Sequence, residues 1–242
     1  MRYQQNDRKE NEIRHFTNLE HIWWGAKTVA GQRRYDNKFN KFKSFCEIKK
    51  GYKVLEIGSG DGEFTSRLVS IKANIVATDI TPEVIKRGRQ MVKNPNVKFS
   101  IDDAESMKFS GNSFDIVCGV SILHHVNTKK ALTEAFRILK KGGQIFFTEP
   151  NLLNPHVFLG LHVPMFRKRM EFSDNETALI RWQVKDMLRR IGFKEVVVKN
   201  YDFLHPKTPA RFINLAQNLS NILDDMPVVK EISGSLIIWA KK

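Results

Sequence analysis

Val54-Leu-Glu-Ile-Gly-Ser-Gly-Asp-Gly62 decides how this chain is read. Val54, Leu55 and Ile57 form a short apolar run of the kind that fills a buried strand. The run breaks into glycines at alternate positions, Gly58, Gly60 and Gly62, and helical periodicity follows. Without a Cβ the backbone can turn tightly there and let a ligand approach the main chain. Glu56 lies two residues before the first glycine, and the next apolar run, Asn74-Ile-Val-Ala-Thr-Asp79, ends on a second carboxylate. A strand, a glycine turn, a helix and an acid about 20 residues downstream predict a nucleotide or nucleoside site, with the acid serving ribose hydroxyls. Asp79 could alternatively cap the next helix, but its place at a strand end favours ribose.

Working outward, short apolar runs alternate with helical stretches from about Lys53 onward, which predicts an α/β fold on a mostly parallel sheet. Strands are expected at 54–57, 75–78, 97–101, 114–120 and 144–149, with two more at 195–199 and 235–240. Thr81 is placed to cap the helix that Pro82 opens. Gly142-Gly143 is placed to close a helix around 131–139. Residues 1–50 read as an N-terminal helical cap or lid segment, in which Phe39, Phe42 and Ile48 suit one helix face. Trp23, Trp24 and Tyr35 there are candidates for an aromatic lid, or for packing that segment onto the core. Residues 51–242 form the main domain, with an insertion at about 151–177 that is too long to be a simple connection.

Composition limits the classes. The 242 residues and 41% hydrophobic content suit one domain with an appendage. No run reaches the roughly 20 apolar residues of a membrane-spanning helix, and the polar N-terminus lacks a secretory signal. Two distant cysteines, Cys46 and Cys118, fit a reduced, cytoplasmic setting, with Cys118 a buried thiol. The net charge of +14 leaves a nucleic-acid partner open, but the basic residues come as short doublets from end to end, as on solvated faces. No histidine or cysteine spacing marks a metal site, and His156, His162 and His205 are not grouped by spacing. Oligomeric state is not legible.

The loop departs from the dinucleotide fingerprint, because position 63 is Glu63 and the third glycine comes one residue early. Its Glu-x-Gly-x-Gly-x-Gly spacing resembles motif I of the class I S-adenosylmethionine (SAM) dependent methyltransferases. Later stretches fall in that family's order. Asp102-Asp-Ala-Glu105 resembles its adenine-binding element, Ser113-Phe-Asp-Ile-Val117 its fourth strand, Ser121-Ile-Leu-His-His-Val126 the element passing the methyl group, and Leu139-Lys-Lys-Gly-Gly-Gln144 its Leu-Lys-Pro-Gly-Gly turn with Lys141 in place of proline. The resemblance covers residues 51–150 well and the last two strands loosely. It is closest to the subfamily that includes ubiquinone- and menaquinone-pathway and many small-molecule methyltransferases. It implies a Rossmann-like, seven-stranded, mostly parallel sheet with helices on both faces.

The same resemblance implies SAM as cofactor, leaving as S-adenosylhomocysteine (SAH). Gly58, Ser59, Gly60 and Gly62 would lie against its methionine part and Glu56 would orient the ammonium. Asp79 would hold the ribose, with Ile80 on the adenine face or in ordinary core. Asp103, favoured over Asp102, and Ala104 would hold the adenine. The expected reaction is in-line methyl transfer to a small-molecule acceptor, most readily at oxygen. His124 is the first candidate for proton transfer and His125 the second, because both follow strand four at the sheet's carboxyl edge. Glu149, ending strand five, would bind the acceptor or hold a loop. The alternatives are a nucleic-acid methyltransferase, disfavoured because Val120-Ser-Ile-Leu123 stands where an Asn/Asp-Pro-Pro-aromatic element is expected, and a non-catalytic protein that keeps the SAM fold. An NAD-dependent oxidoreductase is disfavoured by the glycine spacing.

Overall fold

Seven strands form one sheet in the computed structural model, which describes residues 2–18, 26–169, 173 and 176–242. They are β1 (Lys53–Ile57), β2 (Asn74–Asp79), β3 (Val97–Ile101), β4 (Phe114–Val120), β5 (Leu139–Pro150), β6 (Lys194–Tyr201) and β7 (Ser235–Lys241), and each contains or coincides with an expected strand. The order is β3-β2-β1-β4-β5-β7-β6. The first five pair in parallel, and β7 runs antiparallel between β5 and β6. Strand order reverses between β1 and β4, the switch point at which open α/β sheets bind ligands.

Successive side chains of a strand face opposite sides, so an all-apolar strand needs cover on both faces. Leu55, Ile57, Val117, Ile145 and Phe147 pack with α5 (Thr128–Ile138) and α8 (Arg181–Ile191). Val54, Ile116, Cys118 and Phe146 pack on the other side with Phe39 and Phe42 of α2 (Val29–Phe45) and Phe64 and Leu68 of α3 (Glu63–Leu68). So α2 is part of the core. By contrast α1 (Arg2–Asn18) is polar, and Glu12 is its one buried residue among the side chains described. His21, Trp23 and Trp24 lie outside the described residues.

Two local expectations are corrected. Thr81 occupies the N-cap of α4 (Pro82–Met91) but its side chain makes no cap hydrogen bond; Asp79 Oδ1 instead accepts from the Thr81 N–H at 2.9 Å. Gly142-Gly143 does not close α5, which ends at Ile138. The pair sits inside β5, where pairing jumps from Phe114↔Leu139 to Ile116↔Gln144 and the extra residues need the positive φ of Gly142 (77°). The insertion, too long for a simple connection, contains two short helices: α6 (Pro155–His162) and α7 (Pro164–Arg169) each open on a proline. Between β6 and β7 lies α9 (Ile213–Asp225), a helix the sequence reading did not identify. No helix among the described residues is long and apolar enough to cross a membrane. Cys46 and Cys118 are free and buried.

Candidate active site

Three left-handed backbone positions build the loop between β1 and α3: Gly58 (φ 64°), Gly60 (54°) and Gly62 (94°). The Ser59 N–H donates to the Thr78 carbonyl at 2.9 Å and ties the loop to β2. The glycines do different work. A Cβ on Gly58 would lie 2.5 Å from Ile122 Cγ1, whereas one on Gly60 would meet nothing within 4 Å and faces open space. A Cβ on Gly62 would press on Val92 and Gly88 of the adjoining helix segment, so this glycine serves helix packing.

Around the loop a cleft opens at the carboxyl ends of β1, β2 and β4. Of the residues expected to hold a cofactor, Glu56, Gly58, Ser59 and Gly60 line it, as do Asp79, Ile80, Asp103 and Ala104; Gly62 does not. Glu56 is 1% exposed, and its Oε2 accepts from Thr65 Oγ1 at 2.6 Å. Burial, with the nearby Asp79, pushes its carboxyl up to about 8, although Thr65 opposes this. Asp79 Oδ2 accepts from the Gly60 N–H at 3.2 Å. Burial raises its pKa too, against the pull of its backbone hydrogen bonds. Asp102 spends both oxygens on backbone N–H groups, of Asp103 at 3.0 Å and Lys108 at 3.2 Å, and so holds the turn that presents Asp103.

Helix α1 lies across this cleft. Lys9 pairs with Asp103, Arg8 pairs with Glu105, and Glu12 Oε2 lies 3.1 Å from His125 Nδ1. Phe16 meets the His125 ring edge-on with centroids 5.2 Å apart. The sequence reading passed over these α1 residues and Glu105, because nothing in a polar helix announces what it will cover.

The turn after β4 brings the two histidines to one place, ring centroids 4.1 Å apart, with different surroundings. Ser121 has a positive φ of 54°, and Glu149 Oε1 accepts from the N–H groups of Ile122 and Leu123 at 3.0 and 2.9 Å. Glu149 Oε2 lies 2.7 Å from His124 Nδ1, and Glu176 Oε1 lies 3.5 Å from His124 Nε2. Burial works against charge on His124, yet hydrogen bonds to both glutamates push it up to about 9. It is therefore a cation at neutral pH. His125 lines the cleft, and its Nε2 is buried with no hydrogen-bond partner among the described residues. His124, His125 and Glu176 each place one ligand-capable atom within 4.8 Å of the others, a grouping their spacing did not show. His124, however, already spends both nitrogens on carboxylates.

Behind this turn is a second chamber. Its walls include Arg34 and Lys38 of α2, His124, His156 at the start of α6, and His205 in the segment after β6. The two cavities share Ala26, Tyr35 and Ser121 as lining. His162 lines neither cavity; its Nδ1 lies 2.9 Å from the Phe158 carbonyl oxygen.

A cationic nucleoside sulfonium fits the first cleft. Glu56, Asp79 and Asp103 line its wall, Gly60 leaves the space a Cβ would fill, and Ser59 Oγ is buried without a hydrogen-bond partner among the described residues. A pyrophosphate does not suit a wall carrying Glu56, Asp79 and Asp103. Residues 55–147 match the family described as Methyltransferase domain. Over 120 residues the chain is 36% identical to the ubiquinone/menaquinone biosynthesis C-methyltransferase UbiE of Pasteurella multocida, a match covering 46% of this chain and 45% of that protein. The chain spans about half the length of the curated relatives it matches. A SAM-dependent methyltransferase from Thermotoga maritima shares the fold with TM-score 0.63 at 21% identity, covering 91% of this chain and 100% of that one. Phosphoethanolamine N-methyltransferase 2 of Haemonchus contortus, solved in complex with SAM, gives 0.59 at 19% identity over 90% of this chain and 58% of that one. Sequence match, fold and cleft thus agree on a methyltransferase domain over residues 55–147, in a fold shared with SAM-dependent methyltransferases.

Proposed function

We propose that this methyltransferase moves the methyl group of SAM, held in the first cleft, to a small-molecule acceptor in the second chamber, at an acceptor oxygen. The observation that carries this reading is the pair of cavities meeting at Tyr35 and Ser121, one with acids suited to the donor and one without a cofactor motif. The name of the UbiE relatives states C-methylation for those proteins; here oxygen is favoured by an imidazole at the cleft wall with a supporting carboxylate.

SAM supplies a methyl carbon on a cationic sulfur: an acceptor lone pair forms the new bond while the carbon–sulfur electron pair returns to sulfur. The chain supplies position and dryness. Glu56 faces the ammonium end, Asp79 the ribose and Asp103 the adenine. Helix α1 and Phe16 cover the cleft against water. His125 takes the acceptor's proton. Although burial works to raise it, contacts with His125 and Ser173 hold the Glu12 carboxyl below the usual range, so an anion orients and supports that imidazole. His124, already charged, positions the turn and is not the base.

The test supplies methyl-13C SAM and a pool of hydroxylated small metabolites to the whole protein and reads the product by NMR. Label in O-methyl signals is expected. Label on carbon alone overturns the oxygen assignment, and no transfer to any small molecule overturns the reading. His125→Ala is expected to lower turnover by about 10²-fold or more, with a smaller effect on SAH affinity, because the donor's ammonium, ribose and adenine are assigned to Glu56, Asp79 and Asp103.

A further inference from the structure

The second chamber contains a lysine with no hydrogen bond or ion pair among the described residues, set against the face of a ring. Lys38 is 7% exposed, in a chain whose lysines otherwise mostly reach solvent. Its ammonium stands 5.0 Å from the Tyr35 ring centroid and makes no hydrogen bond or ion pair among the described residues. A buried ammonium without a carboxylate is costly, so such groups are normally paired or ligand-binding. The other charges lining the chamber are paired. Arg34 Nε is 2.7 Å from Asp202 Oδ2, and His124 lies between Glu149 and Glu176.

Two neutral bases share the chamber wall with Lys38. The rings of His156 and His205 meet edge-on with centroids 5.3 Å apart, although their positions are far apart in sequence. Burial lowers the pKa of each, and positive neighbours lower it further: Lys207 for His156; His156, Arg34 and Lys207 for His205. Burial and then Arg34 push Lys38 down to about 7, against Asp202 and Glu149. Burial is the largest cause of all three shifts and a positive neighbour adds to each, so a bound oxyanion would oppose them.

We propose that the second chamber recognises an acceptor carrying a carboxylate or phosphate group, gripped by Lys38 and backed by His156 and His205. The inference rests on the second chamber being the acceptor's site. It names the substrate class: a hydroxylated small molecule whose anionic end sits against α2 while its nucleophile faces Ser121 and the donor cleft. The geometry suits one oxyanion, because the carboxylates within the chamber already have cationic partners and Lys38 does not.

The experiment loads the full chain with SAH and titrates benzoate, phenyl phosphate and neutral benzyl alcohol by calorimetry and NMR. At least one anion is expected to bind about tenfold tighter than the alcohol, the worth of one charge-assisted hydrogen bond. Lys38→Met should remove that advantage and Lys38→Arg should keep most of it, with SAH affinity within about twofold in both, because Lys38 does not line the donor cleft. Benzoate and phenyl phosphate separate the two anion sources. A wild-type pH series gives a readout independent of any variant's folding. Lys38, facing Arg34, Asp202, Glu149 and Tyr35, loses its proton as pH rises through about 7, so anion affinity should fall there. Equal binding of alcohol and anions, anion affinity untouched in a folded Lys38→Met protein, or a flat pH series overturns the anion site. Failure of wild-type protein to bind SAH is a separate result that overturns the donor reading and removes the acceptor role with it.

Discussion

At Gly58 two demands fall on one residue: a left-handed backbone and the absence of any atom where Ile122 packs. Gly58→Ala is therefore expected to cost about 2–5 kcal/mol, from the left-handed penalty plus overpacking, and to lower the melting temperature by several degrees. Gly60→Ala carries the backbone penalty alone, about 1–2 kcal/mol, and should instead weaken SAM binding by intruding on the cleft. Thermal melts and SAM titrations of both variants check the contrast, and equal melting losses would refute it. Glu56 gives a pH dependence. Its carboxyl sits at about 8 instead of 4.5, so in the empty protein it is largely protonated at neutral pH. A donor ammonium favours the ionised form, so SAM affinity should rise from pH 6 to about 8, with proton release measurable by calorimetry in buffers of different ionisation enthalpy. The stability sign is opposite. An acid whose folded pKa is raised contributes its full stability below 4.5 and loses it as pH climbs to about 8. Asp79→Ala should reduce SAM affinity about 10²-fold, as two charge-assisted hydrogen bonds disappear, while Asp79→Asn, with one acceptor oxygen in place of two, can keep only one of the Gly60 and Thr81 contacts and should lose affinity as well. That Gly58, Gly60, Glu56 and Asp79 share one cleft was legible because a glycine loop and the acid ending the next apolar run belong to adjacent strands. The surroundings of the two histidines were not. Sequence placed His124 ahead of His125, and the difference between them comes from Glu176 and Glu12, which approach from the insertion and from α1.

The strands could be read from their apolar runs because burial on both faces leaves no other composition open to them. Helix α1 lies in the segment read as a cap or lid, but what it covers and what docks it could not be read, since a polar helix looks the same over a cleft as in solvent. What docks it is charge: Arg8 on Glu105, Lys9 on Asp103, Glu12 at His125. With little apolar burial behind these pairs, α1 should respond to salt where the sheet does not. Raising salt to about 0.5 M shortens the screening length to roughly 4 Å and weakens the partly exposed pairs. Hydrogen exchange over residues 2–18 is expected to accelerate several-fold while β1 to β5 are unchanged. Uniform protection at both salt concentrations would mean that packing, not charge, holds α1. The Lys9–Asp103 pair also sets an order of events, because Asp103 is paired with α1 where the resemblance puts the adenine. Bound SAH should therefore alter exchange in α1 as well as in the glycine loop.

Across the whole molecule, the +14 charge and the two cavities make different demands. Scattered cations attract any polyanion at low salt, through counterion release that needs no specific site. The cavities are narrower in their requirements. The donor cleft is covered by α1, and the chamber beside it is walled by α2, the start of α6 and the segment after β6, with one buried ammonium for one anionic group. An RNA base would have to leave its stack and bring a flanking phosphate to Lys38 at the same time, and stacking energy opposes the first step. The charge reading and the cavity reading thus separate in one measurement. The full chain should retard bulk tRNA in a gel at about 50 mM salt and release it by about 200–300 mM, the behaviour of phosphate contacts alone. Tritium from methyl-labelled SAM should not enter that RNA at either salt concentration, while an anionic hydroxylated small molecule should take it up at both. RNA labelled under release conditions would show that the second chamber admits a flipped nucleotide, its phosphate at Lys38, and would make the small-molecule acceptor the wrong conclusion from the same walls.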